Sequence, residues 1–342
     1  MGLQDDTEAI EGLDEAWKDP EHPVHVCKDH PSWRSGDHKY QKYHYNFNHG
    51  DAIFCIPPYP FRGEIGAYNF LLSSEIWKWY LQHGKLSPKH SFTIMNANPV
   101  FSQHFEQADK FIKDQIKSAG IDVNYHWNLV KIDKATQTAT FRNLQTGEEQ
   151  SKWYNNLYVI PPTKPHQNLV DAGLVNADSN FMLPVHRETL RHMKYSNIFG
   201  LGDINNIPTT KSFFGGFQQL HVVRNNVIRA LQGQSLNALY DGFSKTSLIL
   251  GQQKLTQVAH LYDQKPAFGN MVGSNGGILS RMRYVYWATK QPKKFLNYYL
   301  FKTWGPPYFK IKKTFPELPA DKEAEINAQL NNYQAVNKAQ TA

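Results

Sequence analysis

Cysteine is nearly absent: Cys27 and Cys55 are the only two in 342 residues. A disulfide framework and a multi-cysteine metal site are thereby excluded, and reduced or compartment-neutral chemistry is expected. Long apolar runs are missing as well. No stretch reaches the ~18 consecutive apolar residues of a conventional spanning helix. The opening MGLQDDTEAIEGLDEAW is acidic and has no apolar run, the reverse of a secretory signal or an Arg-rich transit peptide. Any organelle address is therefore expected to be internal or removed. Acidic side chains disappear between Asp263 and Glu317, and no internal repeat is visible.

What remains is ordinary for a folded chain in its 40% hydrophobic and 20% charged residues, and unusual in its 13% aromatic share and net charge of +7. The length supports a real core and two or three domains. The positive balance favours anionic partners, whether phospholipid, nucleic acid or acidic protein, without choosing among them. GDAIFCIPPYP from Gly50 reads as a buried strand stopped by prolines, and NFLLSSEIWKWYLQHGKL as a helix closed by Gly84. HSFTIMNAN and FSQHFEQADKFIKDQIKSAG repeat the strand and helix, and IDVNYHWNLVKID, TATFRN and WYNNLYVIPP continue as strands. Strand, helix, strand, helix and meander predict an α/β fold. Further on, 181–187 and SNIFGLGD read as strands before a helix from about Thr209 to Leu231, with Val222, Val223, Val227 and Ile228 on its apolar face. The polar tail from Asp321 reads as a surface helix or a mobile extension.

Residues 199 to 211, FGLGDINNIPTTK, carry the sharpest local signal. Gly200 and Gly202 allow close backbone approach, and the Asp203 carboxylate can accept hydrogen bonds from a polyol. A following helix N-terminus offers free N–H groups to an electron-rich ring carbonyl. The same pattern also describes a plain turn with an aspartate cap. Cys55, inside an apolar strand, reads as a buried core thiol. Cys27 between His25 and His30, and the His-rich DHKYQKYHYNFNHGD, are too irregular to assign a metal, and none is expected.

Together with MGLQ at the start, DAIFCIPPYP, VIPP at 159–162 and YDGF at 240–243, the segment YSNIFGLGDINNIPTTKSFFGGFQQ resembles the sulfide:quinone oxidoreductases of the mitochondrial type. The matches keep their order from Met1 to about Pro316. The resemblance implies a flavoprotein reductase-like fold of two dinucleotide-binding domains, lacking most of its first FAD half-domain. It implies cofactor contacts at Gly2, Gly202, Asp203, Thr209, Thr210 and Lys211 if FAD is bound. The family's G-x-G-x-x-G turn, whose helix N-terminus holds the FAD pyrophosphate, occurs nowhere in the sequence. The family's two redox cysteines align with Gly63 and Ile204. Neither can be a nucleophile or carry a persulfide, so the family's thiol chemistry is not expected to run and no catalytic residue is assigned.

The acid-free stretch interleaves Arg281, Arg283, Lys293 and Lys294 with Trp287, Tyr298, Tyr299 and Trp304. Such a mixture suits a segment lying in a membrane interface, and each base adds on the order of 1 kcal/mol near an anionic leaflet. It also suits a protein interface, or single-stranded nucleic acid. By resemblance the region matches the family's monotopic membrane anchor, which favours the membrane surface, and no nucleic acid is expected. The expected organisation is a remnant FAD-domain part and connector over 1–48 and a second Rossmann-like domain over 49–170. A returning FAD-domain part over 171–245, a basic aromatic membrane-interface region over 246–316 and a polar tail over 317–342 complete it. The expected role is a catalytically degenerate accessory subunit of a respiratory-chain complex at the mitochondrial inner membrane, with membrane and protein partners and no bound cofactor. The alternative is an FAD enzyme whose missing half comes from another chain or segment.

Overall fold

The computed structural model describes residues 3–19, 22–26, 50–61, 64, 90–118, 121–175, 182–251, 254–267 and 315–341. The expected helix over 69–86, Cys27, Gly2, Gly63, and the membrane-interface residues Arg281, Arg283, Trp287, Lys293, Lys294, Tyr298, Tyr299 and Trp304 lie outside the described residues.

A parallel five-stranded sheet forms the middle of the molecule. Its strands are β2 (Val24–Val26), β3 (Gly50–Ile56), β4 (His90–Asn96), β5 (Asp122–Tyr125) and β9 (Asn156–Val159), in the order β2-β9-β3-β4-β5. Alternation along β3 sends its side chains to two faces. Ala52, Phe54 and Ile56 pack on one side with Ile94 and with Ala108, Ile112 and Ile116 of α2 (Glu106–Ser118). Those three helical positions are four apart, which lines them along one stripe facing the sheet. Ile53 and Cys55 go to the other side. There they meet Leu129, Ile132, Ala139 and Phe141 of an antiparallel meander and Leu13 and Ala16 of α1 (Leu13–Lys18). The meander is β6 (Trp127–Asp133), β7 (Thr138–Asn143) and β8 (Glu149–Trp153). Cys55 is thus a core side chain, 3% exposed.

The N-terminal β1 (Leu3–Asp5) pairs antiparallel with β10 (Thr163–Pro165), which follows the central sheet and leads to the short α3 (Gln167–Asp171). The chain that returns after residue 182 has its own core, which includes Leu183, Val185, Leu190, Ile204, Ile207, Val222, Tyr240 and Tyr262. Its long helix α4 (Phe213–Leu231) begins four residues later than the expected start at Thr209, with the Ser212 side chain accepting from Gly215 N as its N-cap. A hairpin of β11 (Ser244–Gly251) and β12 (Lys254–His260) follows, and its Leu248 and Val258 join the core under the parallel sheet.

Two expectations are corrected, and the tail takes the helical one of its two expected forms. Residues 182–187 and 196–203 are not ladder strands; they meet neighbours through isolated bridges, Leu183 to Asn205, Val185 to His192 and Arg191 to Phe199. Pro184 has no N–H to donate, and Leu190 and Gly202 have φ of 60° and 77°, so no regular ladder propagates. The inner face of α4 is more polar than its valines suggest: Gln219, His221 and Asn226 are buried with Val222 and Val223, whereas Ile228 is 43% exposed. Asn226 is held inside by donating to Thr189 O and Ala238 O and accepting from Ala238 N. The polar tail is a helix, α5 (Ala320–Thr341), seated through buried Ile326 and Leu330 and through Gln329 on His186.

Candidate functional site

The turn at 200–211 sits where the bridged segment meets the first turn of α4. Gly202, at φ 77°, lies so close to the helix that its Cα is 3.5 Å from where a Gly216 Cβ would stand. The left-handed backbone at Gly202 is the feature that favours glycine in this turn. Gln219, one turn along α4, accepts from Gly202 N at 2.7 Å and from Asn205 Nδ2 at 2.9 Å. The turn is thereby fixed to the helix. The residues from Gly202 to Ile204 form one turn of 3-10 helix, which places Ile204 inward, 6% exposed, in the returning core.

The polar residues after the turn point into the protein. Thr209 Oγ1 donates to Gly242 O at 2.9 Å, and the Thr210 hydroxyl lies 2.9 Å from His260 Nε2. Both threonines are at most 2% exposed. Lys211, 5% exposed, donates from Nζ to the carbonyl oxygen of Asn205 and to Asn205 Oδ1 at 3.3 Å. A lysine this deep is retained only with partners for its charge.

Part of that partnership is electrostatic and comes from Glu64. It is 1% exposed, and among the described residues neither carboxyl oxygen has a hydrogen-bond partner. Burial pushes its carboxyl up from 4.5 to about 8; the Lys211 charge opposes the rise, and the Asp203 charge adds to it. Burial in turn lowers the Lys211 ammonium, against the pull of Glu64 and Asp203. His104 feels the same cation: burial, then Lys211, then His260 bring it down to about 4. His260 also stacks on Phe105, ring centroids 5.3 Å apart. Glu64, Asp203, Lys211, His104 and His260 are therefore one electrostatically linked group, drawn from four separate segments.

Of the sequence-derived residues, the structure brings Gly202, Asp203, Thr209, Thr210 and Lys211 together. Glu64, His104, His260, Asn205 and Gln219 carry no motif of their own and were not expected. Only the position of Glu64, directly after Gly63, offered a signal. Among the described residues no group of three His, Cys, Asp or Glu side chains is placed to hold a metal ion.

No protein-family model matches the chain. Mouse mitochondrial sulfide:quinone oxidoreductase is 26% identical over 318 residues, covering 92% of this chain and 67% of that protein. A chain in the structure of the Tetrahymena thermophila mitochondrial ATP synthase, an F1Fo composite tetramer, is 50% identical with a TM-score of 0.79; the match covers 90% of this chain and 73% of that one. The sulfide:quinone oxidoreductase of Aquifex aeolicus shares the fold with a TM-score of 0.59 at 14% identity, over 96% of this chain and 71% of that one. The fold is that of the FAD/NAD(P)-binding reductases, and the relatives place the chain in the mitochondrion. Ordered motif matches, fold and identity agree: the chain is similar to the mitochondrial sulfide:quinone oxidoreductases over most of its length.

Proposed function

We propose that this chain is a catalytically degenerate relative of the sulfide:quinone oxidoreductases that serves as an accessory subunit of a mitochondrial inner-membrane complex. The observation that carries the proposal is Ile204. The position that aligns with a redox thiol holds an aliphatic side chain, 6% exposed and packed among Leu183, Ile207 and Val222. Sulfide oxidation by the family route needs a thiolate there, and a hydrocarbon offers neither a nucleophile nor a redox couple. Gly63, at the other thiol position, supports the same reading from sequence alone.

The residues that would meet a flavin do not fit one well. The Thr209 and Thr210 hydroxyls and the Lys211 ammonium are committed to protein partners, and the N-cap of α4 is closed by Ser212. No step through FAD is derived. The 50% identity to a chain of the Tetrahymena ATP synthase supports the subunit role and makes the F1Fo assembly the first complex to test. The basic aromatic segment from Arg281 to Trp304 completes the proposal as the membrane-facing part.

The test is a native gel of mitochondrial membranes solubilised in mild detergent, with the chain detected by mass spectrometry. Migration with the F1Fo subunits is the expected result. Migration as a free polypeptide, with all F1Fo subunits elsewhere, rejects the subunit role.

A further inference from the structure

A cavity of about 450 Å³ lies on the returning half, away from the Lys211 group. Its walls are the last turn of α4 and the turn after it, the 191–199 segment, and the approach to α5. The volume falls within the range of small-molecule sites. Phe199, Val227, Leu231, Leu236, Leu318 and Ile326 supply an apolar lining.

Arg191 stands in that lining with its Nε buried and, among the described residues, without a hydrogen-bond partner. Burial works against its charge, yet among the described residues it forms no ion pair. Glu317 is paired with Arg229 through two bonds of 2.8 Å, and Glu188 and Glu325 with Lys322. A half-buried guanidinium with a free donor is costly unless an acceptor reaches it. Glu323 lines the same cavity and repels a second negative charge. One cation, one acid and an apolar stretch of wall, beside the polar Ser196, Asn197, Gln234, Ser235 and Asn327, select a ligand charged at one end only.

We propose that this cavity binds a small amphipathic monocarboxylate, with its carboxylate on Arg191 and its hydrocarbon along the α4 and α5 wall. The fit rests on the Arg191 guanidinium in the lining, which forms no ion pair among the described residues, and on the apolar side chains that line the same cavity. It is independent of the degenerate-subunit reading, because no residue of the cavity belongs to the Lys211 group.

Octanoate, octanol and suberate serve as probes, titrated calorimetrically into the purified full chain. Saturable octanoate binding is expected, with octanol and suberate each weaker by about tenfold or more. Arg191→Gln is expected to weaken octanoate by about tenfold, since a charge-assisted bond is lost. Leu231→Glu alters a side chain that is 84% exposed, so it leaves folding intact, and it sets a negative charge on the cavity wall. It too is expected to weaken octanoate by about tenfold, and it decides the matter if Arg191→Gln fails to fold. No saturable octanoate binding, equal affinity for octanol, or full affinity in the variant that folds overturns the proposal.

Discussion

Glu64→Gln is expected to abolish a loss of stability that the wild-type protein suffers between about pH 5 and about pH 8. The sign follows from the raised carboxyl. Its ordinary value is 4.5 and its folded value about 8, so across that window the folded protein holds a proton that the unfolded chain has released. Stability from Glu64 is fully present below the ordinary carboxylate value and is lost as pH rises through the folded value. A fully buried group shifted this far contributes a loss on the order of 3 kcal/mol over the window. Lys211 acts in the next window. Its folded value is lowered from 10.5 to about 8, so its contribution is present above the former and lost as pH falls through the latter. Stability therefore has a trough near pH 8. Below about pH 6.5 the lowered His104 works the other way, which makes the difference between wild type and Glu64→Gln the useful quantity. Urea titrations of both proteins at pH 5.5, 6.5, 7.5 and 8.5 measure it. Parallel profiles would show that Glu64 is ionised in water and not buried beside Lys211.

Gly242→Ala is expected to destabilise the returning half by about 3 kcal/mol, the sum of a left-handed backbone penalty and an overpacking term. Gly242 has φ 85°, and a Cβ there would lie 2.4 Å from both Tyr262 N and the Tyr262 ring. The obstacle is partly backbone and cannot rotate away. Tyr262 is pinned further by donating from N to Asp241 O at 3.0 Å and from its hydroxyl to Arg187 O. Gly242 O also accepts from Thr209, so a shift of this turn strains the segment that carries Lys211. Gly233→Ala is the control. That glycine has φ 69° but nothing within 4 Å of its Cβ position, so it should cost only about 1 kcal/mol. Chemical denaturation of the two variants compares them directly, and equal costs would exclude the contact with Tyr262 as the cause.

Much of the central fold was legible in the sequence because its rules are local. The unbroken apolar run from Ala52 to Ile56, stopped by Pro57 and Pro58, and the four-residue spacing of Ala108, Ile112 and Ile116 identify a buried strand and a helix face whatever surrounds them. The returning half was read less well. Phe199 to Asp203 looks like a strand because it is apolar and short, but the backbone there is governed by Gly202 and by the bridge from Arg191 to Phe199. The polar interior of α4 is invisible to an apolar count, because Asn226 and Gln219 are buried by bonds to backbone groups distant in sequence.

The candidate site divides in the same way. Asp203, Ile204 and Lys211 were found through a motif of neighbouring residues. Glu64, His104 and His260 were not, since their importance lies in sharing one buried cation with a segment about 50 to 150 residues away. Charges brought together by folding leave no spacing to read. What the structure adds to the motif is therefore its environment: Ile204 inside a core and Lys211 facing a buried acid.

The most direct test of a family fold kept without its thiol chemistry is sulfide-dependent reduction of a short-chain ubiquinone analogue by the purified full-length chain. Reduction no faster than in buffer without protein is the predicted result. Turnover of about 1 per second or more, in the range of working enzymes, would contradict it.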